Sequence, residues 1–270
     1  MTVKKHETIT STSNGRVRYI QALISKASFR KKEGKYVAEG IKMFEEADEK
    51  DILEVYVKED AITSFDDKIK NKLEKTGYDI LSDQVFKKVS DTVTPQGIIC
   101  ILGIRNVSLK DIVSEKNPHI VVLENIQDPG NIGTIIRTAE GAGVSGIIMT
   151  KDCVDIFNPK VIRSTMGSIY RVKFSFVDRV EEALDILKEN GIKTYACALS
   201  KDSRSYDEFD YQKPVAILIG NEGNGLKKST IEASDENAYI PMCGQVESLN
   251  ASVAASIMMY EVFRQRRQKG

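Results

Sequence analysis

Residues 120–149, IVVLENIQDPGNIGTIIRTAEGAGVSGIIM, decide how this chain folds. An apolar run around Val121 leads through a polar, glycine-containing loop into a helix with Ile132, Ile135, Ile136 and Ala139 at i, i+3, i+4 and i+7. A second apolar run follows at 146–149. Short strands that are apolar at every position have both faces covered, as in a parallel sheet between two layers of helices. The pattern continues, with strands expected near 172–176, 193–198 and 215–219. Ligands of such sheets gather at the carboxyl ends of the strands. Three glycine- and amide-rich stretches fall at those ends: 125–143, GNEGNG at 220–225, and IPMCGQVESLNASVAAS at 240–256. They offer Asn, Arg, Glu and Ser to a common pocket, with no His and no Cys pair.

Upstream, helical and strand patterns alternate over a shorter unit. Helices are expected at 15–29, 40–49, 67–75 and 83–89, and strands at 36–38, 52–57, 78–81 and 97–104. Residues 106–118 are polar, end in Asn-Pro and read as a linker. The expected organisation is an α/β domain at 1–105, the linker, and a mostly parallel α/β domain at 119–270.

Composition narrows the function classes. The 270 residues are 41% apolar, enough for two buried cores. The four cysteines are widely spaced and form no CxxC, so neither a disulfide framework nor a zinc site is expected, and a reduced, cytoplasmic protein fits. The N-terminus lacks an apolar signal core, and the longest apolar region, 251–263, is too short and serine-rich to span a bilayer. Net charge is zero but unevenly spread, about +7 over residues 1–35 and −7 over 36–85. Local charge governs attraction to polyanions, so the basic segment is either a phosphate-neutralising surface or a solvated helix face.

Two nucleotide-like motifs fail on context. Gly141, Gly143 and Gly146 fit GxGxxG, but the run closes a helix and enters a strand, the reverse of a dinucleotide fingerprint. Gly220 and Gly225 have phosphate-loop spacing, yet the following residue is Leu226, and Glu222 would set a carboxylate among phosphates. His6 and His119 are poorly placed to serve as bases for nucleophilic Ser or Cys schemes.

Asn-x-Gly-x-x-x-Arg at 131–137, Ile-Gly-Asn-Glu-Gly-x-Gly at 219–225, and Ile-Pro-Met at 240 followed by Ser-Leu-Asn-Ala-Ser at 248 together resemble the signature motifs of the SpoU-type RNA 2'-O-ribose methyltransferases of the SPOUT superfamily. The match covers roughly residues 120–267. The N-terminal half is similar to the L30e-like accessory domain of that family, through SNGRVRYIQAL at 13, RKKEGKYVAEG at 30–40 and PQGI at 95–98. The resemblance implies a C-terminal trefoil knot, a rare exception to unthreaded chains. It implies S-adenosylmethionine as cofactor, held by Gly220, Ile240, Met242 and Leu249, although apolar Ile240 and Leu249 also suit plain core packing.

For chemistry the resemblance gives Arg137 the central place at the ribose hydroxyl, as a base or together with an RNA phosphate. A free guanidinium is a poor base, since it stays protonated in water, so orientation and phosphate binding stay open. Asn131 suits a helix cap that also donates to RNA. Glu222 sits where an ionised group needs a partner, with Arg137 the expected one. Ser248 and Asn250 fit an N-terminal cap for the last helix, and the resemblance places both at the active site. Arg16, Arg18, Arg30, Lys31 and Lys32 are the expected RNA contacts of the basic segment.

The reading is an RNA 2'-O-methyltransferase, with ribosomal RNA favoured because an L30e-like domain suits a structured RNA. The alternatives are a transfer RNA methyltransferase and a non-catalytic RNA-binding or ribosome-assembly protein. No metal and no membrane are expected. The last helix, apolar on nearly every side over 251–263, predicts a homodimer.

Overall fold

The computed structural model describes residues 6–245 and 248–267. Lys4 and Lys5 of the basic segment, and Val246 and Glu247 of the third loop, lie outside the described residues. The chain forms two compact units, Met1–Arg105 with Asp155–Tyr170, and Asn106–Val154 with Arg171–Gly270.

The first unit runs β1 (Thr8–Ile9), α1 (Gly15–Ser25), α2 (Ala27–Glu33), β2 (Lys35–Glu39), α3 (Ile41–Glu46), β3 (Ile52–Lys58), α4 (Asp67–Thr76), β4 (Asp79–Leu81), α5 (Asp83–Val89) and β5 (Ile98–Gly103). Its five-stranded sheet has the order β1-β4-β3-β5-β2 and is mixed, because β5 pairs antiparallel with both β3 and β2. The expected single helix at 15–29 is two helices. Lys26 leaves helical geometry at φ −123°, and the Arg30 guanidinium turns back to donate to the carbonyls of Leu23 and Ile24. Residues 155–170, assigned by sequence to the second domain, complete this unit. Arg30 pairs with Asp155 at 2.6 Å, and the Phe157 ring lies 4.9 Å from that of Tyr36.

The second unit runs α6 (Leu109–Val113), β6 (His119–Leu123), α7 (Pro129–Gly141) and β7 (Gly146–Thr150). After α8 (Pro159–Ser164), which belongs to the first unit, come β8 (Phe174–Val177), α9 (Val180–Glu189), β9 (Lys193–Cys197), β10 (Arg204–Ser205), β11 (Val215–Ile219), α10 (Lys228–Ala233), β12 (Glu236–Tyr239) and α11 (Ala251–Arg267). Seven strands form one wholly parallel sheet in the order β10-β12-β9-β11-β6-β7-β8. All five residues of β6, β7 and β11 are buried, as two-sided cover requires.

The expected linker is partly core. Ser108 and Asp111 form a reciprocal capping box, and α6 turns Ile112 and Val113 into the cluster that also holds Ile120 and Leu187. Gly146 is the counterpart of that packing, since a Cβ there would meet the Ile112 side chain at 2.8 Å. Strand β12 went unforeseen because ENAY is polar and short.

Helix α11 packs on α7 and β11 through Ala255, Met258, Met259 and Val262, whereas Val253 and Tyr260 remain 45% and 48% exposed. Its last turn is latched in place. The Arg266 guanidinium donates to the carbonyls of Asn117, Pro118, Tyr211 and Lys213, just before β6 and β11. No helix among the described residues is long and apolar enough to cross a membrane.

Candidate active site

The second unit carries a cavity of about 480 Å³ at the carboxyl ends of β9, β11 and β12. Gly220, Glu222, Ile240, Met242, Ser248 and Leu249 line it, all named by the sequence. Its other walls were not foreseen. Cys197, Ala198 and Leu199 follow β9, Tyr239 ends β12, and Ala251 and Ala254 come from α11. The strand-end rule pointed to the end of β9, but no polar motif marks it. Leu199 is 80% exposed at the rim.

Gly220 is required for shape. A Cβ there would lie 2.1 Å from the backbone of Gly225 and Leu226, because Asn221 and Gly225 exchange backbone hydrogen bonds and fold the loop onto itself. Inside the loop the Asn221 side chain accepts from the N–H groups of Gly223 and Asn224 and donates to the Asn125 carbonyl. The loop leads to α10 only after Lys227, so the helix that follows it does not open directly from the glycines as in a phosphate loop.

Glu222 links this loop to α7. Its carboxylate accepts from the N–H groups of Gln127 and Asp128, at 3.1 and 2.9 Å, and from Asn131 Nδ2 at 3.0 Å. Burial pushes its pKa up, but the hydrogen bonds from Asn131 and the backbone outweigh that and hold the group below the usual carboxylate range. Arg137, the partner expected from sequence, is not among these donors. The start of α7 already offers enough N–H groups to satisfy the charge.

Asn131 is likewise not the cap. Asp128 caps α7, its carboxylate accepting from Asn131 N at 2.8 Å, with Pro129 opening the first turn. The buried Asn131 side chain acts laterally instead, donating to Glu222 and accepting from Asn250 Nδ2 at 2.9 Å. Asn250 then accepts from the N–H and hydroxyl of Ser252 and so caps α11. A continuous line, Glu222–Asn131–Asn250, therefore ties the cavity loop, α7 and α11 together. Asn131, Arg137 and Asn250 do not line the cavity themselves.

Arg137 projects from the solvent side of α7, opposite the buried Ile132, Ile135, Ile136 and Ala139, and is exposed. It makes no hydrogen bond or ion pair among the described residues. In the first unit, Arg30 is 3% exposed and its guanidinium is fully committed, so it offers nothing to an RNA; this corrects its place among the expected contacts. Arg16 is engaged by Asp79 at 2.7 Å and by Glu7 at 3.3 Å. Arg18, Lys31 and Lys32 are exposed. Among the described residues no cluster of His, Cys, Asp and Glu is arranged to hold a metal.

Residues 118–260 match the model of the SpoU rRNA Methylase family, and residues 14–100 that of the MRM3-like substrate binding domain. The 23S rRNA (guanosine(2553)-2'-O)-methyltransferase RlmP of Bacillus subtilis is 34% identical over 94% of this chain and 98% of its own length. The crystal structure of an AdoMet-bound rRNA methyltransferase from Sinorhizobium meliloti superposes with a TM-score of 0.84 at 30% identity, covering 96% of this chain and 97% of that one. A solved RNA 2'-O ribose methyltransferase gives 0.80 at 27% identity, covering 96% and 99%. The motifs, the strand-end cavity they line and these matches over both units agree: the chain belongs to the SpoU rRNA methylase family.

Proposed function

We propose that this protein methylates a ribose 2'-hydroxyl of ribosomal RNA with S-adenosylmethionine as donor. The observation that carries the reading is the cavity, walled by Ile240, Met242, Leu249 and Ala254, edged by a glycine that no side chain may replace, and tied by Glu222–Asn131–Asn250 to the helix bearing an uncommitted Arg137. Those residues fit the cofactor, because a purine needs apolar walls with backbone close at its edge. When bound, S-adenosylmethionine would supply the activated methyl group to the 2'-oxygen and depart as the neutral thioether, with solvent water taking the hydroxyl proton.

The protein's share of that reaction is placement. Gly220, Ile240, Met242 and Leu249 hold the donor, and Glu222 fixes the loop by spanning to the start of α7. Arg137, with no carboxylate partner among the described residues, orients the substrate through the ribose or its neighbouring phosphate. Ser248 lies on the cavity wall.

The first unit supplies RNA affinity in this reading, and the cytoplasm is the place of action that goes with a ribosomal substrate. A second copy of the chain covers the exposed Val253 and Tyr260 of α11; light scattering should report a dimer that persists in high salt, since apolar burial is not screened, and a fully active monomer would refute it. Incubation of the purified protein with methyl-labelled S-adenosylmethionine and protein-free ribosomal RNA should yield one 2'-O-methylated nucleotide. Absence of cofactor binding by calorimetry would instead favour a non-catalytic RNA-binding protein.

A further inference from the structure

The first unit treats its cations in two ways. Around β3, α3 and α4 five of the seven lysines have a carboxylate partner, Lys42 with Glu46, Lys50 with Asp48, Lys58 with Asp60 and Asp83, Lys68 with Glu45, and Lys75 with Glu49, and Lys72 donates to the carbonyls of Glu45 and Ala47. At the α1–α2 corner the opposite holds. Arg18, Lys26, Lys31 and Lys32 are exposed and make no ion pair among the described residues. The single carboxylate on α1 and α2, Glu33, accepts from the Tyr19 hydroxyl at 3.0 Å.

Charges of one sign repel, so such a cluster needs a rigid support or a counterion. The support is visible. Buried Arg30 donates to the last carbonyls of α1 and pairs with Asp155, which fixes the bend at Lys26. Tyr19 packs edge-on against Phe29 at 5.5 Å, and Lys35 lies 5.5 Å over the Tyr19 ring, tying the middle of α1 to α2 and to the start of β2. Lysines in the last turn of α2 also suit the helix dipole, but that does not account for Arg18 or for Lys26 at the bend.

We infer that the α1–α2 corner, through Arg18, Lys26, Lys31 and Lys32, is the phosphate-binding face by which the first unit grips structured RNA, with Arg30 as the buried residue that holds its shape. This rests on the proposed RNA substrate and narrows it to one surface. Contacts of this kind read backbone charge and not sequence, so their signature is the salt dependence of binding.

The test compares the full-length protein with a Lys26→Gln/Lys31→Gln/Lys32→Gln variant and with a Lys50→Gln/Lys68→Gln/Lys75→Gln control, on protein-free ribosomal RNA across a salt series. The corner variant should lose about 2 to 3 from the slope of log affinity against log salt, roughly one per phosphate contact. The control should keep the wild-type slope, and both should bind S-adenosylmethionine as the wild type does. An unchanged slope in the corner variant overturns the inference while leaving the methyltransferase reading intact. A wild type that binds the cofactor but no RNA at any salt overturns both, and an Arg30→Ala variant with an unaltered slope removes the role given to Arg30.

Discussion

The cavity rim of the second unit and the α1–α2 corner of the first make opposite use of polar side chains. At the rim, Asn125, Asn131, Asn221, Glu222 and Asn250 are bound to one another or to backbone, so the loops are shaped before any ligand arrives. At the corner, four cations project with no ion pair among the described residues, on a stiff base. A small cofactor of fixed shape rewards preorganisation, because ordering costs met during folding are not met again on binding. A long polyanion rewards available charge, because its contacts are many, weak and exchangeable. Arg137 is an exception within the second unit, since its exposed guanidinium makes no hydrogen bond or ion pair among the described residues.

The strongest way to break the contrast is Arg137→Ala. Methyl transfer should fall by about a thousandfold or more if Arg137 supplies orientation and charge at the reacting ribose, while calorimetry should find the affinity for S-adenosylmethionine nearly unchanged. Wild-type turnover by that variant would mean the free guanidinium is merely a surface charge.

Glu222→Ala should do the reverse and strike the cofactor first. It leaves the buried Asn131 amide without its acceptor, at a cost of about 1–3 kcal/mol, while water replaces the carboxylate at the exposed N–H groups of Gln127 and Asp128. Cofactor affinity should drop roughly tenfold or more, with RNA affinity preserved. The pH dependence carries a sign. A carboxylate held below its usual range contributes above its ordinary value of 4.5, and loses that contribution as pH falls through the depressed value. Cofactor binding should therefore weaken only in acid.

A smaller effect sharpens the comparison by locating acid sensitivity away from the rim. His119 opens β6 at the end of the sheet opposite the cavity, with Nε2 buried and unpartnered. Burial, with Arg266 adding to it, depresses its pKa from 6.5 to about 3. The folded protein thus keeps His119 neutral while the unfolded chain takes up a proton below pH 6.5. Its stabilising effect is present above 6.5 and declines as pH falls toward 3, by up to about 1.4 kcal/mol per pH unit. Denaturant titrations of His119→Leu should show a flatter acid limb between those values; an identical limb would assign the sensitivity elsewhere.

Much of this was legible in the chain. The runs IVVL, GIIM and VAILI could only be two-sided strands, and their order fixed where a pocket would form. Gly220, Ile240, Met242 and Leu249 were named through the resemblance of their motifs to the family, and all four line the cavity. What sequence could not supply was pairing across distance. Glu222 was matched with Arg137 because opposite charges attract, but the N–H groups of Gln127 and Asp128 carry no sequence signal and were nearer. Asn131 was read as a cap although Asp128, three residues earlier, had the better position. Arg30 looked like its neighbours Lys31 and Lys32 until Asp155, 125 residues away, was found beside it.

The hydrogen bond between Asn250 and Asn131 joins residues 119 positions apart. Local helices and hairpins form in microseconds, but a contact of that separation must wait for the chain between to be ordered. The pocket is therefore a late product of folding, and in refolding experiments recovery of cofactor binding should trail recovery of helical signal. Because the ligand binds only the finished arrangement, its presence would drain the partly folded population by mass action. In a cell, the supply of methyl donor would then govern how much of this protein completes its fold as well as how fast it turns over.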